Sequence, residues 1–372
     1  ENVLPVLSLK TQIVDAQSFY VRQDSTWSLP LDLSAYGDSA QHQLVVHTHP
    51  MWAVYQSLPY LIDYRHNCTE QIYSKLFAEV LVKAFLEQNG TLYRCFLSAL
   101  KDTAKGSPLM QEEVLKNILL SETPWVNEGQ RETQYLQRMG QLFKPDMMQQ
   151  QINRLTNLLE KAQKSSGGWG WFDRFNENQF ITQHILAGTA HLERLQLSHN
   201  FQTSTLTAAL RYLHRQSQDK YERFLHDTTK SKKFIFNNLD AQYLYVISYF
   251  EKPDWTRTEI GNFYMQEARK SIATASYYTR AQLAMAFYRL GLRQEAESYA
   301  QSLVERAYQK NGEMYWTERQ RICRYMDWYE VPIETHALLM EAMCEILPDT
   351  TDALRQTKAE VLQASKQWLI NQ

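Results

Sequence analysis

Basic blocks are missing from this sequence: its 39 lysines and arginines are scattered among 41 acidic residues, for a net charge of -2. Nucleic-acid binding therefore lacks its electrostatic footprint. No apolar run approaches the length of a membrane helix, so no direct span is expected. Glycine and proline are scarce, at 12 and 10, which argues against an all-β or linker-rich protein. The four cysteines, at 68, 95, 323 and 344, form no C-x-x-C pair and no zinc-like spacing. A disulfide among Cys95, Cys323 and Cys344 stays open. His47 and His49 would share one face of a strand, but with no acidic or cysteine neighbour they are assigned no metal. No cofactor is expected either. The chain starts at Glu1, without a signal peptide, and stops inside a helical pattern at Leu362 to Gln372. It is expected to be a piece of a longer protein, so a missing targeting segment says nothing of its compartment.

What is present is apolar material: 44% hydrophobic and 12% aromatic residues across 372 positions, enough for a sizeable core. Residues 1–55 hold short β-favouring runs, Val3 to Leu9, Phe19 to Val21 and Gln43 to His47, separated by polar breaks. They are too few to close a sheet with two good faces. Beyond Pro59 the period becomes helical. Ile72, Leu76, Val80 and Ala84 make one stripe, widened by Phe77, Leu81 and Phe85. Similar patterns follow near 91–104, 110–120, 132–143, 145–164, 179–196, 202–217, 238–251, 258–269, 277–290, 293–308, 333–346 and 350–371. That is about a dozen helices, many apolar on more than one face, which implies an all-α array packed in two layers.

Two breaks resemble each other. Gly167-Gly168-Trp169-Gly170-Trp171-Phe172 and Asn311-Gly312-Glu313-Met314-Tyr315-Trp316 each set glycine before aromatics, after a long helix. Glycine is expected to give a left-handed helix stop and the aromatics to plug a barrel end, which points to an α/α toroid.

The tetrapeptide Cys68-Thr69-Glu70-Gln71 carries the chemistry. A cysteine three positions before a glutamine is the pattern of an internal thioester. The Cys68 sulfur is acylated by the Gln71 side chain with loss of ammonia, and a nucleophile later takes the acyl group while a thiolate departs. Such a reaction is a single covalent capture rather than turnover. Cys68 would stand near the N-terminus of the helix that carries Ile72. Free N–H groups and the positive helix end there favour a thiolate and steady an oxyanion. Glu70 either orients the loop or simply favours a first helical turn.

The motif and its surroundings resemble one family. Leu58-Pro59-Tyr60-Leu61-Ile62-Asp63-Tyr64 ahead of the tetrapeptide is similar to the lead-in of the thioester domain of bacterial α2-macroglobulins. Glu122-Thr123-Pro124-Trp125-Val126, Gly167-Gly168-Trp169 with Phe180-Ile181-Thr182-Gln183, and Val331 to Leu339 resemble later family segments in the right order. Glu1 to Leu7 is similar to the flanking β segment. The resemblance implies that residues 1–55 are part of a CUB-like domain and 56–372 an α/α toroid thioester domain. It further implies a protease trap of bacterial defence, an inhibitor rather than an enzyme, which captures target proteases through their lysines. The parent would be a periplasmic, membrane-anchored lipoprotein, working beside a penicillin-binding protein.

Complement-type members carry a histidine that redirects transfer toward hydroxyls. The matching position here is Thr182, which favours direct attack by amines. His184, two residues on, is about 200° around a helix and is expected to face elsewhere. Asn67 stands where vertebrate members have glycine, and asparagine tolerates left-handed backbone. Tyr60, Tyr64, Trp169, Trp171 and Phe172 are candidates to wall the site. Two alternatives stay open. One is an α/α-toroid enzyme, for which no D-D-x-x-D or D-x-D-D cluster exists but Asp327, Glu330 and Glu334 could supply glycosidase carboxylates. The other is a degenerate relative that only scaffolds interactions.

Overall fold

The computed structural model describes residues 67–88, 144–228, 233–310, 312–317 and 332–370, with residues 28, 90 and 94. Ten α-helices make up most of these residues. They are α1 (Thr69–Gln88), α2 (Pro145–Ala162), α3 (Gln179–Arg194), α4 (Thr203–His226), α5 (Asn238–Ile247), α6 (Glu259–Ser271), α7 (Tyr277–Arg289), α8 (Arg293–Glu305), α9 (Pro332–Ile346) and α10 (Asp352–Ile370). A 3-10 helix at Pro253–Arg257 precedes α6, and β1 (Tyr308–Lys310) pairs antiparallel with β2 (Glu313–Tyr315). The described part is thus mostly helical, as the periodicity demands. The β runs before residue 56 and the helices expected near 91–104, 110–120 and 132–143 lie outside the described residues.

Side chains start several of these helices. Asn178, Thr258 and Ser276 each accept an N–H from the first turn of α3, α6 and α7. Before α5, Asn237 and Asp240 cap each other's backbone in a reciprocal box. Each such cap is worth about 1 kcal/mol to its helix.

The helices divide into two sets. The odd-numbered helices touch one another in chain order, α1 to α3, α3 to α5, α5 to α7 and α7 to α9. They are buried on most sides: α5 is buried from Asp240 to Ile247 except at Gln242, and α7 from Ala281 to Phe287. The even-numbered helices cover them. α2 lies on α1, α4 on α3 and α5, α8 on α7 and α9, and α10 on α9. Tyr264 of α6 donates to the Ser217 carbonyl of α4, and Arg269 of α6 forks onto Glu295 of α8. These covering helices bury one stripe, in α2 Met148, Ile152, Leu155 and Leu159, at the spacing of one helical face. Each such buried side chain contributes about 1.5–3 kcal/mol.

The two glycine–aromatic turns are built alike. Gly167 and Gly312 both have positive φ, at 98° and 78°. The Trp169 N–H donates to Thr182 Oγ1 (3.0 Å) and its indole to the Leu159 carbonyl (2.7 Å). The Trp316 N–H donates to His336 Nε2 (2.9 Å) and its indole to the Leu303 carbonyl (2.8 Å). Thr182 and His336 each bond in turn to the carbonyl four residues back, Asn178 and Pro332. Because Nε2 accepts, His336 must carry its proton on Nδ1. The roles differ from those expected in two ways. Gly167 is no helix stop: α2 ends at Gln163 in extended backbone, and Gly167 turns the chain beyond it. A Cβ there would lie 2.2 Å from the Ala208 carbonyl oxygen, so glycine permits the approach to α4. The tryptophans, moreover, fasten each turn to the preceding covering helix. At the second turn the chain forms the β1–β2 hairpin, whose three-residue strands are too short to show a period in sequence.

Candidate functional site

Helix α1 opens at Thr69, which leaves Cys68 at the position just before its first turn. The Thr69 N–H donates to the Trp171 carbonyl (2.9 Å) and the Ile72 N–H to the Cys68 carbonyl (3.0 Å). The start of α1 is therefore pinned to the first glycine–aromatic turn. Cys68 is buried and is a free cysteine. Its thiol donates a long hydrogen bond to Glu70 Oε2 (3.9 Å), and Glu70 Oε1 accepts from the Ser74 hydroxyl (2.8 Å). Gln71 holds its Oε1 buried, with no hydrogen-bond partner among the described residues. Asn67, exposed, accepts from Lys75 Nζ (3.2 Å).

Thr182 lies in α3 with its side chain fully buried. Its hydroxyl is committed at both ends, to the Trp169 N–H and the Asn178 carbonyl. His184 does not face away. Its ring meets Tyr73 of α1 edge-on (centroids 5.6 Å apart) and stacks on Phe180 (6.3 Å). Burial lowers the affinity of its imidazole for a proton, and the charge of Glu70 opposes that effect. Nε2 is buried without a hydrogen-bond partner among the described residues. His184 and Thr182 lie on opposite sides of α3. Thr182 faces the Trp169 backbone, so the opposite face is the one that looks at α1.

A third element reaches this end of the molecule. Glu334, in the first turn of α9, has its carboxyl held above the usual range, first by desolvation and then by the charge of Glu70. Asp327 and Glu330 lie outside the described residues, as do Tyr60, Tyr64, Cys95 and Cys323. Cys344 is free and exposed. Of the proposed wall residues, Trp169 is core, at 0% exposure, and Phe172 is 50% exposed against Phe175. Trp171 stacks on Phe180 (6.1 Å), so Trp171, Phe180 and His184 form one aromatic ladder beside the start of α1.

Sequence reasoning missed Phe180, Tyr73 and Ser74. One signal for Tyr73 existed: Gly188 sits inside the α3 pattern, and an interior helical glycine marks a close approach. A Cβ at Gly188 would lie 2.5 Å from the Tyr73 hydroxyl, which itself pairs with Thr189 (3.3 Å).

At the opposite end, the last turns of α3, α7 and α9 and the end of α5 converge on a polar network. His191 pairs with Tyr245 (2.7 Å) and Glu341 (3.3 Å). Tyr249 donates to Glu341 (2.8 Å), and Arg289 bonds Glu345 twice (2.8 and 2.6 Å) and Glu341 once (3.2 Å). The Arg289 guanidinium lies 3.7 Å over the Tyr249 ring, and Arg194 completes Glu345 (2.6 Å). Burial pushes the Glu341 carboxyl up, yet the His191 hydrogen bond and the His191 and Arg289 charges outweigh it and hold it at about 2.

Among the described residues no group of three or more histidines, cysteines or carboxylates could hold a metal, and no helix is long and apolar enough to cross a membrane. No protein-family model matches the chain, and no curated protein matches it in sequence.

Proposed function

We propose that this chain is the thioester domain of a bacterial α2-macroglobulin-like protease inhibitor, which captures a protease by a single acyl transfer from Gln71 to a lysine amine. The observation that carries the reading is the start of α1: a buried, free Cys68 one helical turn before Gln71, whose carbonyl oxygen has no competing partner among the described residues. Residues three apart at a helix start are neighbours, so the two side chains can close a ring. Burial protects an acyl thioester from water. The Thr182 hydroxyl is tied into the turn, which leaves direct attack by an amine as the route of transfer.

An α/α toroid is the arrangement that fits the helix contacts. Odd-numbered helices meet in chain order, Arg194 of α3 reaches Glu345 of α9, and the charge of Glu70 on α1 is felt at Glu334 on α9. The parent protein would be periplasmic and lipid-anchored, with target proteases as covalent partners and a penicillin-binding protein as a neighbour. Intact mass of the natural full-length protein, isolated under mild conditions, tests the chemistry. A chain lighter by one ammonia, which takes up methylamine at Gln71 and releases one thiol at Cys68, is the expected result. A chain of full mass that ignores methylamine would sink it.

A further inference from the structure

We infer that Glu70 is the proton relay of this thioester, taking the proton of the attacking amine and handing it to the departing Cys68 sulfur; the inference rests on the thioester reading above. The contact seen here, between a free thiol and Glu70 beside an unmodified Gln71, is the arrangement before the ring closes. The Cys68 sulfur lies within long hydrogen-bond reach of Glu70 Oε2 (3.9 Å), while Ser74, one turn further along α1, fixes Oε1 (2.8 Å). A carboxylate held by a neighbouring hydroxyl, with its other oxygen on the reacting sulfur, is placed to exchange a proton with it.

The steps balance. The amine nitrogen adds to the Gln71 carbonyl carbon, and the ammonium of that adduct gives one proton to Glu70. The adduct collapses, re-forming the C=O bond as the C–S bond breaks, and expels the Cys68 thiolate. Glu70 then returns its proton to sulfur, which regenerates the S–H···O contact and the carboxylate. Beyond the attacking amine, no oxidant, metal or other reactant is needed. In reverse, the same carboxylate removes the thiol proton when the ring first closes.

The surroundings suit the role. Among the described residues no cation forms an ion pair with Glu70, and the titratable groups that face it are Cys68 just ahead of α1, His184 from α3 and Glu334 from α9. Burial lowers the proton affinity of His184, and the charge of Glu70 opposes that effect. Lys75, one turn beyond Gln71, is bonded to Asn67.

The test uses the full-length protein and its E70Q, E70D and S74A variants. Intact mass first establishes which of them carry the thioester, and methylamine uptake is then followed against pH, with rates referred to the unprotonated amine. E70Q with an intact thioester is expected to react about a hundredfold more slowly and to lose the acid limb of the profile, with E70D restoring part of both. A thioester-bearing E70Q that reacts at the wild-type rate with the wild-type profile overturns the relay and leaves the thioester reading standing. If E70Q folds with the wild-type melting temperature but forms no thioester, S74A decides: slower uptake in S74A supports the relay, and unchanged uptake overturns it. A wild-type protein without a thioester overturns both.

Discussion

The two ends of the odd-numbered helices treat buried polar groups in opposite ways. At their C-terminal end, His191, Tyr245, Tyr249, Arg289, Glu341 and Glu345 answer one another, with each carboxylate met by more than one donor. At the N-terminal end, Gln71 Oε1 and His184 Nε2 are buried without hydrogen-bond partners among the described residues. An orphaned buried polar atom costs about 1–3 kcal/mol, so the second arrangement is a standing cost. One end holds four helices together, and the other leaves the groups of the proposed thioester site uncommitted. On that proposal, stability and chemistry are separated along the helix axis.

The largest break in this contrast is expected at Arg289. R289A leaves Glu341 and Glu345 without their main cation and should cost about 3–5 kcal/mol in urea unfolding. E70Q, at the other end, should cost less than about 1 kcal/mol by the same measurement while changing the chemistry. An R289A protein as stable as E70Q would erase the distinction.

Acid should act on the same end. Glu341 is held at about 2 when folded, below its unfolded value, so its contribution is present above the unfolded pKa and is lost as pH falls toward 2. Up to about 3 kcal/mol is involved. Unfolding curves between pH 5 and 3 should therefore be steep for the wild type and flatter for E341Q; equal slopes would show that Glu341 is not the group responsible.

Further along α1, Glu79 is a smaller and opposite case. It is fully buried, Oε2 has no hydrogen-bond partner among the described residues, and burial pushes its carboxyl up to about 7. The raised folded value means its contribution is present below the unfolded pKa and is lost as pH rises through 7. E79Q should gain about 3 kcal/mol at pH 8 and less than about 1 at pH 5. A thermal melt at the two pH values checks this. The smallest effect is expected at His184: H184F fills the same aromatic slot and removes the orphaned nitrogen. It should shift stability by less than about 1 kcal/mol, and a large loss would mean that Nε2 has a partner after all.

Much of this was legible in the chain. Nine helical patterns after residue 144 reappear as α2 to α10, because apolar stripes at helical spacing bury as they are spaced. The likeness of the two turns was visible as glycine followed by tryptophan. Their bonding was not, because Thr182 and His336 are different chemistries doing one job. The facing of His184 was misjudged for want of an anchor: a helix gives relative angles, and only the Thr182 contact fixes the zero. The C-terminal network left no local trace, since Arg194 and Glu345 are 151 positions apart and meet only once α3 and α9 are packed.

The Trp169–Trp171 segment links three helices by backbone groups rather than by flexible side chains alone. The Trp169 indole holds the end of α2, its N–H holds α3, and the carbonyl of Trp171 holds the first N–H of α1. It therefore works as a lever of fixed length. Any displacement of α2 or α3 would be passed to Thr69, the residue next to Cys68. On the proposed thioester reading, a trigger need not touch the Cys68 end at all: shifting this one loop would move the sulfur relative to Gln71.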